Sequence, residues 1–176
     1  MRKVGTARAV GVTHYQTRAF PELASIMASE QIDAIQIPYN ALNRAAEREL
    51  LPLAAQYGIG VVVMQPLGEG RLARSGPQPA VLRQYQAFGC HTWPQVLLKW
   101  ILSDPRVTAV VPATRDPEHL LDNAAAARKA YVAAANVRSD LGRPKGDHQK
   151  IIASATVGKP SDQAKAIAKV FESQKS

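Results

Sequence analysis

Along the first 128 positions, apolar residues fall into short β-branched runs separated by longer stretches in which they recur every three or four residues. The runs at 8–13, 33–38, 60–64 and 107–111 are nearly continuous in apolar residues, the pattern of strands covered on both faces. Helical spacing over 19–29, 45–57, 93–103 and 117–127 fills the intervals between and after them. In the second helix Leu50, Leu51, Leu53 and Ala54 form an apolar stripe behind a polar opening turn of Glu47, Arg48 and Glu49. Strands and helices in alternation predict βα units around a parallel sheet. The punctuation agrees: Gly58 follows one helix in the position that favours glycine, and Asp104 with Pro105 stops the next. Asp116 is placed to cap the last helix, with Pro117 at its first position, where a missing N–H costs nothing.

One interval is much longer than the others and holds Gly68, Gly70, Gly76, Pro77 and Pro79. It reads as a functional loop with a short helix over 81–88, placed after the carboxyl end of a strand, where parallel α/β folds build their sites. Beyond position 128 the alternation dissolves. An Ala-rich helix leads into a polar stretch at 139–149 with Gly142, Pro144 and Gly146, which reads as a linker. A short strand over 151–157 and a capped helix over 161–171 follow, the latter with Ala164, Ile167, Ala168 and Phe171 on one face. Two units are therefore expected, 1–128 and a basic C-terminal appendage at 129–176.

Composition narrows the class. The 176 residues, 46% hydrophobic and 20% charged, suffice for a folded core. The longest apolar stretches, at 59–64 and 107–111, fall far short of the roughly 20 residues that span a bilayer, so no membrane segment is expected. Arg2 and Lys3 break the apolar run a secretory signal needs, and the single cysteine, Cys90, has no partner for an intramolecular disulfide. A cytoplasmic setting is expected. The four histidines have no metal-ligand spacing, and no metal is expected. The net charge of +8 is uneven: residues 1–128 carry 13 Lys and Arg against 10 Asp and Glu, and residues 129–176 carry 9 against 4. Such a tail can attract nucleic acid or acidic surfaces. Without arginine or aromatic clustering it reads better as a solvated Lys-rich face, which disfavours a nucleic-acid partner.

Two segments carry candidate chemistry. Where the strand ending at Val111 passes through residues 112–115 into a helix, backbone N–H groups and the positive helix end face the strand's carboxyl side. Thr114 offers a hydroxyl there and Arg115 a guanidinium fork, both suited to phosphate. The alternative is an ordinary helix cap beside a solvent-facing arginine. In the turn Gln65, Pro66, Leu67, Gly68, Glu69, Gly70, the glycines let backbone approach a ligand closely.

These stretches resemble the aldo-keto reductases. The resemblance rests on Ala9-Val10-Gly11-Val12-Thr13-His14-Tyr15, on Asp33-Ala34-Ile35-Gln36-Ile37-Pro38-Tyr39-Asn40, on 58–70, and on Val111-Pro112-Ala113-Thr114 through Asp122-Asn123, four motifs in family order. It covers roughly residues 4–128 and implies the second half of a (β/α)8 TIM barrel, strands five to eight, in a chain with room for half of the about 250 residues of a full barrel. The fold expected is therefore α/β, a partial barrel of four βα units with an unrelated C-terminal appendage. The resemblance implies NADP(H) as cofactor. It places Thr13, His14 and Gln36 at the nicotinamide carboxamide and Met64 where the family often stacks an aromatic ring. Gln65, Pro66, Leu67, Gly68 and Gly70 fall along the pyrophosphate. Thr114 and Arg115 fall at the adenosine 2′-phosphate, with His119, Asp122 and Asn123 on the adenine side. Family catalysis uses a tyrosine, lysine, aspartate and histidine set from the first barrel half; no catalytic residue is assigned here, and a truncated, inactive chain is expected.

Three readings stand on the sequence. The first is an NADP(H)-linked aldo-keto reductase family oxidoreductase, truncated so that its catalytic set is absent. The second is a non-catalytic nucleotide-binding or regulatory module, and the third a binder of nucleic acid or acidic partners through the basic tail. An isolated half barrel also leaves two strand edges and an apolar inner face open, so three outcomes are expected as alternatives: a homodimer that closes them, a cover supplied by the segment at 151–157 with the helix carrying Ile167 and Phe171, or a truncated product that folds poorly.

Overall fold

The computed structural model describes Gly5 and residues 7–127. The expected linker at 139–149, strand at 151–157 and helix at 161–171, and the boundary at 128, lie outside the described residues. Four strands, β1 (Gly11–Thr13), β2 (Ala34–Pro38), β3 (Gly60–Met64) and β4 (Ala109–Val110), form one sheet in sequence order. All three pairings are parallel. Helices α1 (Phe20–Ala28) and α2 (Leu50–Tyr57) occupy the first two crossovers. The third holds α3 (Arg71–Arg74), α4 (Pro79–Leu82) and α5 (Trp93–Leu102), and α6 (Pro117–Ala125) follows β4.

Parallel register puts Val12, Ile35 and Val61 in one row and Ile37, Val63 and Val110 in another, and helices cover these rows. Ile35, Ile37, Val61 and Val63 are fully buried in one core with Met27, Leu50, Leu51, Leu97 and Ile101. The opposite face carries Ala34, Gln36, Gly60, Val62 and Met64, all only half-buried. Burial thus alternates along β2 and β3, and the expectation of strands covered on both faces is corrected: among the described residues the helices pack on one face only. The continuous apolar runs nonetheless make this second face apolar except at Thr13 and Gln36.

Three local departures have physical causes. The strand expected at 8–13 starts its regular pairing at Gly11, because the Asp33 carboxylate takes the Val10 N–H at 2.8 Å. Gly11 itself lies so close to β2 that a Cβ there would stand 2.8 Å from the Ala34 carbonyl oxygen. The helix expected over 45–57 is split into a 3-10 turn at Ala45–Glu47 and α2, because Pro52 lacks an N–H and is tolerated only in a first helical turn. The short helix expected over 81–88 is divided between α4 and a 3-10 turn at Arg83–Phe88. Gly58 ends α2 in the left-handed conformation, φ 65°, as its position implies.

Candidate functional site

The carboxyl ends of the strands gather the residues singled out from sequence. Thr13 at the end of β1 is in register with Gln36 of β2, and Gln36 with Val62 of β3. The Gln36 amide is half-buried and makes no hydrogen bond to any described residue, so it presents a free donor and acceptor from an apolar floor. Met64 ends β3 in register with Pro38, half-buried, and its carbonyl accepts the Tyr39 N–H at 3.3 Å. The His14 N–H donates to the Gln36 carbonyl at 3.2 Å. Its Nδ1 accepts the Gln16 N–H at 3.0 Å, which in the neutral ring leaves Nε2 as the donor. The His14 ring stacks flat on exposed Tyr15, 5.4 Å between centroids.

The turn after β3 is held by hydrogen bonds within itself and by the Asn40 amide on the Gln65 carbonyl. Gln65, Gly68, Glu69 and Gly70 all have positive φ, at 52°, 54°, 57° and 81°. The Gly68 N–H donates to the Gln65 carbonyl and the Gly70 N–H to the Leu67 carbonyl, each at 3.0 Å. Gln65 Nε2 donates to Glu69 Oε1 at 3.1 Å, joining the two non-glycine left-handed residues. Pro66 is buried and Leu67 packs on the core. These glycines therefore answer first to backbone geometry: Cβ atoms there would meet Leu72 at 3.2 Å and the Arg74 guanidinium at 3.3 Å. Their N–H groups close the turn rather than point to an outside ligand.

The segment around α6 departs further from the sequence reading. Thr114 Oγ1 accepts the Asp116 N–H at 3.1 Å. Asp116 Oδ1 accepts the N–H groups of Glu118 at 2.8 Å and His119 at 3.5 Å. The first donors of α6 are thus capped by a carboxylate, and the free anion site expected at this helix end is corrected accordingly. Exposed His119 has Nδ1 3.7 Å from Asp116 Oδ2. Arg115 is exposed and pairs with no described residue. Asp122, expected on the adenine side, spends both carboxylate oxygens on α5: Thr92 donates to one and Gln95 to the other, each at 2.7 Å. Asn123, 8% exposed, has a side chain with no hydrogen bond among the described residues.

Two residues inside a quoted motif carry architecture that the sequence reading did not assign. Asn40, buried, donates from Nδ2 to the Gln65 carbonyl at 2.9 Å and so ties the end of β2 to the turn after β3. Tyr39, fully buried, donates its hydroxyl to Glu47 Oε1 at 2.8 Å and packs tilted against Trp100. Burial first, and then the Glu47 carboxylate, push the Tyr39 phenol far above its ordinary range. Glu47 is held in turn by both arms of Arg44, which lies over the Trp100 ring at 5.5 Å. An alternating pattern with one polar tail, Gln-Ile-Pro-Tyr-Asn at 36–40, was the available signal. Among the described residues no group of His, Cys, Asp and Glu is arranged to hold a metal ion, and no helix is long and apolar enough to cross a membrane.

Comparisons with known proteins place this geometry. The pattern of the Aldo/keto reductase family matches residues 1–136. An NADH-specific methylglyoxal reductase of Escherichia coli (strain K12) is 27% identical, the match covering 72% of this chain and 45% of the relative. An uncharacterized oxidoreductase of Schizosaccharomyces pombe is 28% identical, over 72% of this chain and 39% of its own length. Among solved structures, an aldo/keto reductase from Klebsiella pneumoniae in complex with NADP and acetate superposes with a TM-score of 0.57 at 26% identity, covering 81% of this chain and 51% of that one. A second structure from that organism, in complex with NADPH, gives 0.56 with the same identity and coverage. The chain spans about half the length of the proteins it matches.

Proposed function

Because the chain belongs to the aldo/keto reductase family, we propose that it binds a nicotinamide dinucleotide, NADP(H) in preference to NAD(H), across the carboxyl end of its sheet, as the cofactor side of an oxidoreductase. The observation that carries this is Gln36: a half-buried amide with no hydrogen bond among the described residues, set in register between Thr13 and Val62 on an apolar floor that ends in Met64. An amide of this kind suits a carboxamide, which pairs donor to acceptor twice. Asn123 and Arg115, whose side chains have no partner among the described residues, fit the other end of a dinucleotide, one as an amide for a base and one as a cation for phosphate. Asp122 does not fit, since both its oxygens are committed to α5. The dinucleotide supplies hydride transfer when bound. The chain's own residues hold its nicotinamide end through Thr13, His14 and Gln36, keep water from one face through Met64, and offer Arg115 to its phosphate.

In this reading residues 1–128 are half of a (β/α)8 barrel, residues 129–176 are a separate basic appendage, and the setting is cytoplasmic. The half-covered inner face, with Val62 and Met64, and the two edges at β1 and β4 favour closure by a second copy. A second reading is a dinucleotide-binding module without turnover of its own; Tyr39, fully buried, supplies no acid for either reading. Its hydroxyl is committed to Glu47 and its ionisation is suppressed, so it serves as a fixed donor and not as an acid. A panel of aldehydes with NADPH at high protein concentration separates the two, turnover that tracks the pure protein supporting the enzyme.

Thermal unfolding with added dinucleotides tests the shared claim. NADPH at a hundredfold excess over its dissociation constant is expected to stabilise the chain by about 2.7 kcal/mol. The same concentration of ATP is expected to leave it unchanged, and equal effects of both would refute a dinucleotide site.

A further inference from the structure

On the dinucleotide reading above, we infer that Asn40 is a positioning residue for the cofactor, acting by clamping the carbonyl of Gln65 so that the chain leaves Met64, the end of the nicotinamide floor, in one direction. Gln65 is the first residue after β3 and lies at φ 52°, a conformation that residues with a Cβ keep only where the surroundings over-determine it. Two donors fix its carbonyl: Asn40 Nδ2 at 2.9 Å and the Gly68 N–H at 3.0 Å, which uses both lone pairs of the oxygen.

Asn40 is itself immobilised. Its Oδ1 accepts the N–H groups of Leu42 at 3.0 Å and Asn43 at 2.9 Å, and its own N–H donates to the Asn43 carbonyl at 3.1 Å. With Oδ1 taken by two donors, the amide has one orientation, and its NH2 must face Gln65. The neighbouring Tyr39 adds a second tie to the same place, its N–H on the Met64 carbonyl. The direction in which the chain leaves Met64, and with it the course of the turn at 65–70, is therefore set by the Asn40 side chain together with the Tyr39 N–H. Asn40 reaches no ligand; it acts through Gln65.

The substitution Asn40→Asp isolates this role, because a carboxylate still accepts from Leu42 and Asn43 but has no proton for Gln65. NADPH titrated into the full chain is expected to bind about tenfold more weakly in N40D than in the wild type, the scale of one buried hydrogen bond. Amide exchange at Gly68 should quicken in the same variant. A merely structural role would not predict rescue. The clamp does: glycine adopts the left-handed conformation freely, so Gln65→Gly in the N40D background should restore binding to within about threefold of Q65G alone. If aspartate is not tolerated, Asn40→Ser keeps an acceptor for the loop and is too short to reach Gln65. Wild-type affinity in N40D, or a loss that Q65G does not rescue, overturns the inference while leaving the dinucleotide reading intact. Absence of NADPH binding by the wild type overturns both.

Discussion

Gln95 and Asp122 are joined across α5 and α6: Gln95 Nε2 stands 2.7 Å from Asp122 Oδ1 and 3.2 Å from the Asp122 carbonyl oxygen. The Thr92 hydroxyl donates to the other carboxylate oxygen at 2.7 Å while capping α5 through the Gln95 N–H. The same Gln95 turns its Oε1 to the His91 N–H at 2.7 Å. Asp122 therefore fastens the last described helix to the one before it and keeps a buried glutamine satisfied.

Replacing Asp122 with Ala strips partners from Thr92 and from Gln95, which is only 4% exposed. A loss of about 2 kcal/mol in unfolding free energy is expected, the scale of an abandoned buried polar group. Urea unfolding measures it. A variant that unfolds like the wild type yet binds dinucleotide poorly would return Asp122 to the ligand.

Tyr39 sets an alkaline limit. Its phenol is raised from an ordinary 10.0 by burial and by Glu47, so the folded state keeps it protonated where the unfolded chain ionises. The contribution is whole below pH 10 and is lost as pH rises above it, by up to about 1.4 kcal/mol per unit. Unfolding measured from pH 8 to 11 should show a steeper alkaline decline in the wild type than in Tyr39→Phe. Parallel declines would show that Tyr39 is not what limits alkaline stability.

On the proposed reading, Arg115 selects between coenzymes. Being exposed and without a partner among the described residues, it is expected to contribute about five- to tenfold to NADP(H) affinity after screening, and nothing to NAD(H). Titration of Arg115→Ala with both coenzymes reads the difference. The similarity to an NADH-specific reductase makes the outcome informative: equal losses for both would remove the 2′-phosphate contact.

Much of the fold was legible because strand and helix periods are local. The runs at 33–38 and 60–64 became β2 and β3, and Asp116 with Pro117 opens α6 as its chemistry dictates. Where a single residue overrode the period, the sequence held the reason: Pro52 split a helix. That Thr13, Gln36 and Met64 come together at the strand ends was legible, since parallel register follows from topology. What could not be read were the partners of polar side chains. Nothing local says that Asp122 turns back to residues 27 and 30 positions earlier, or that Asn40 crosses to Gln65. Nor does a glycine pair reveal that its N–H groups are consumed within the turn.

The central claim, that a nicotinamide dinucleotide binds over the strand ends around Gln36, is tested most directly by calorimetric titration of NADPH into the wild-type chain and into Gln36→Ala. The account predicts saturable one-site binding by the wild type, weakened about tenfold in the variant for the loss of its amide contacts, with both proteins unfolding cooperatively. Equal binding by the two, or no saturable heat from a cooperatively folded wild type, would contradict it.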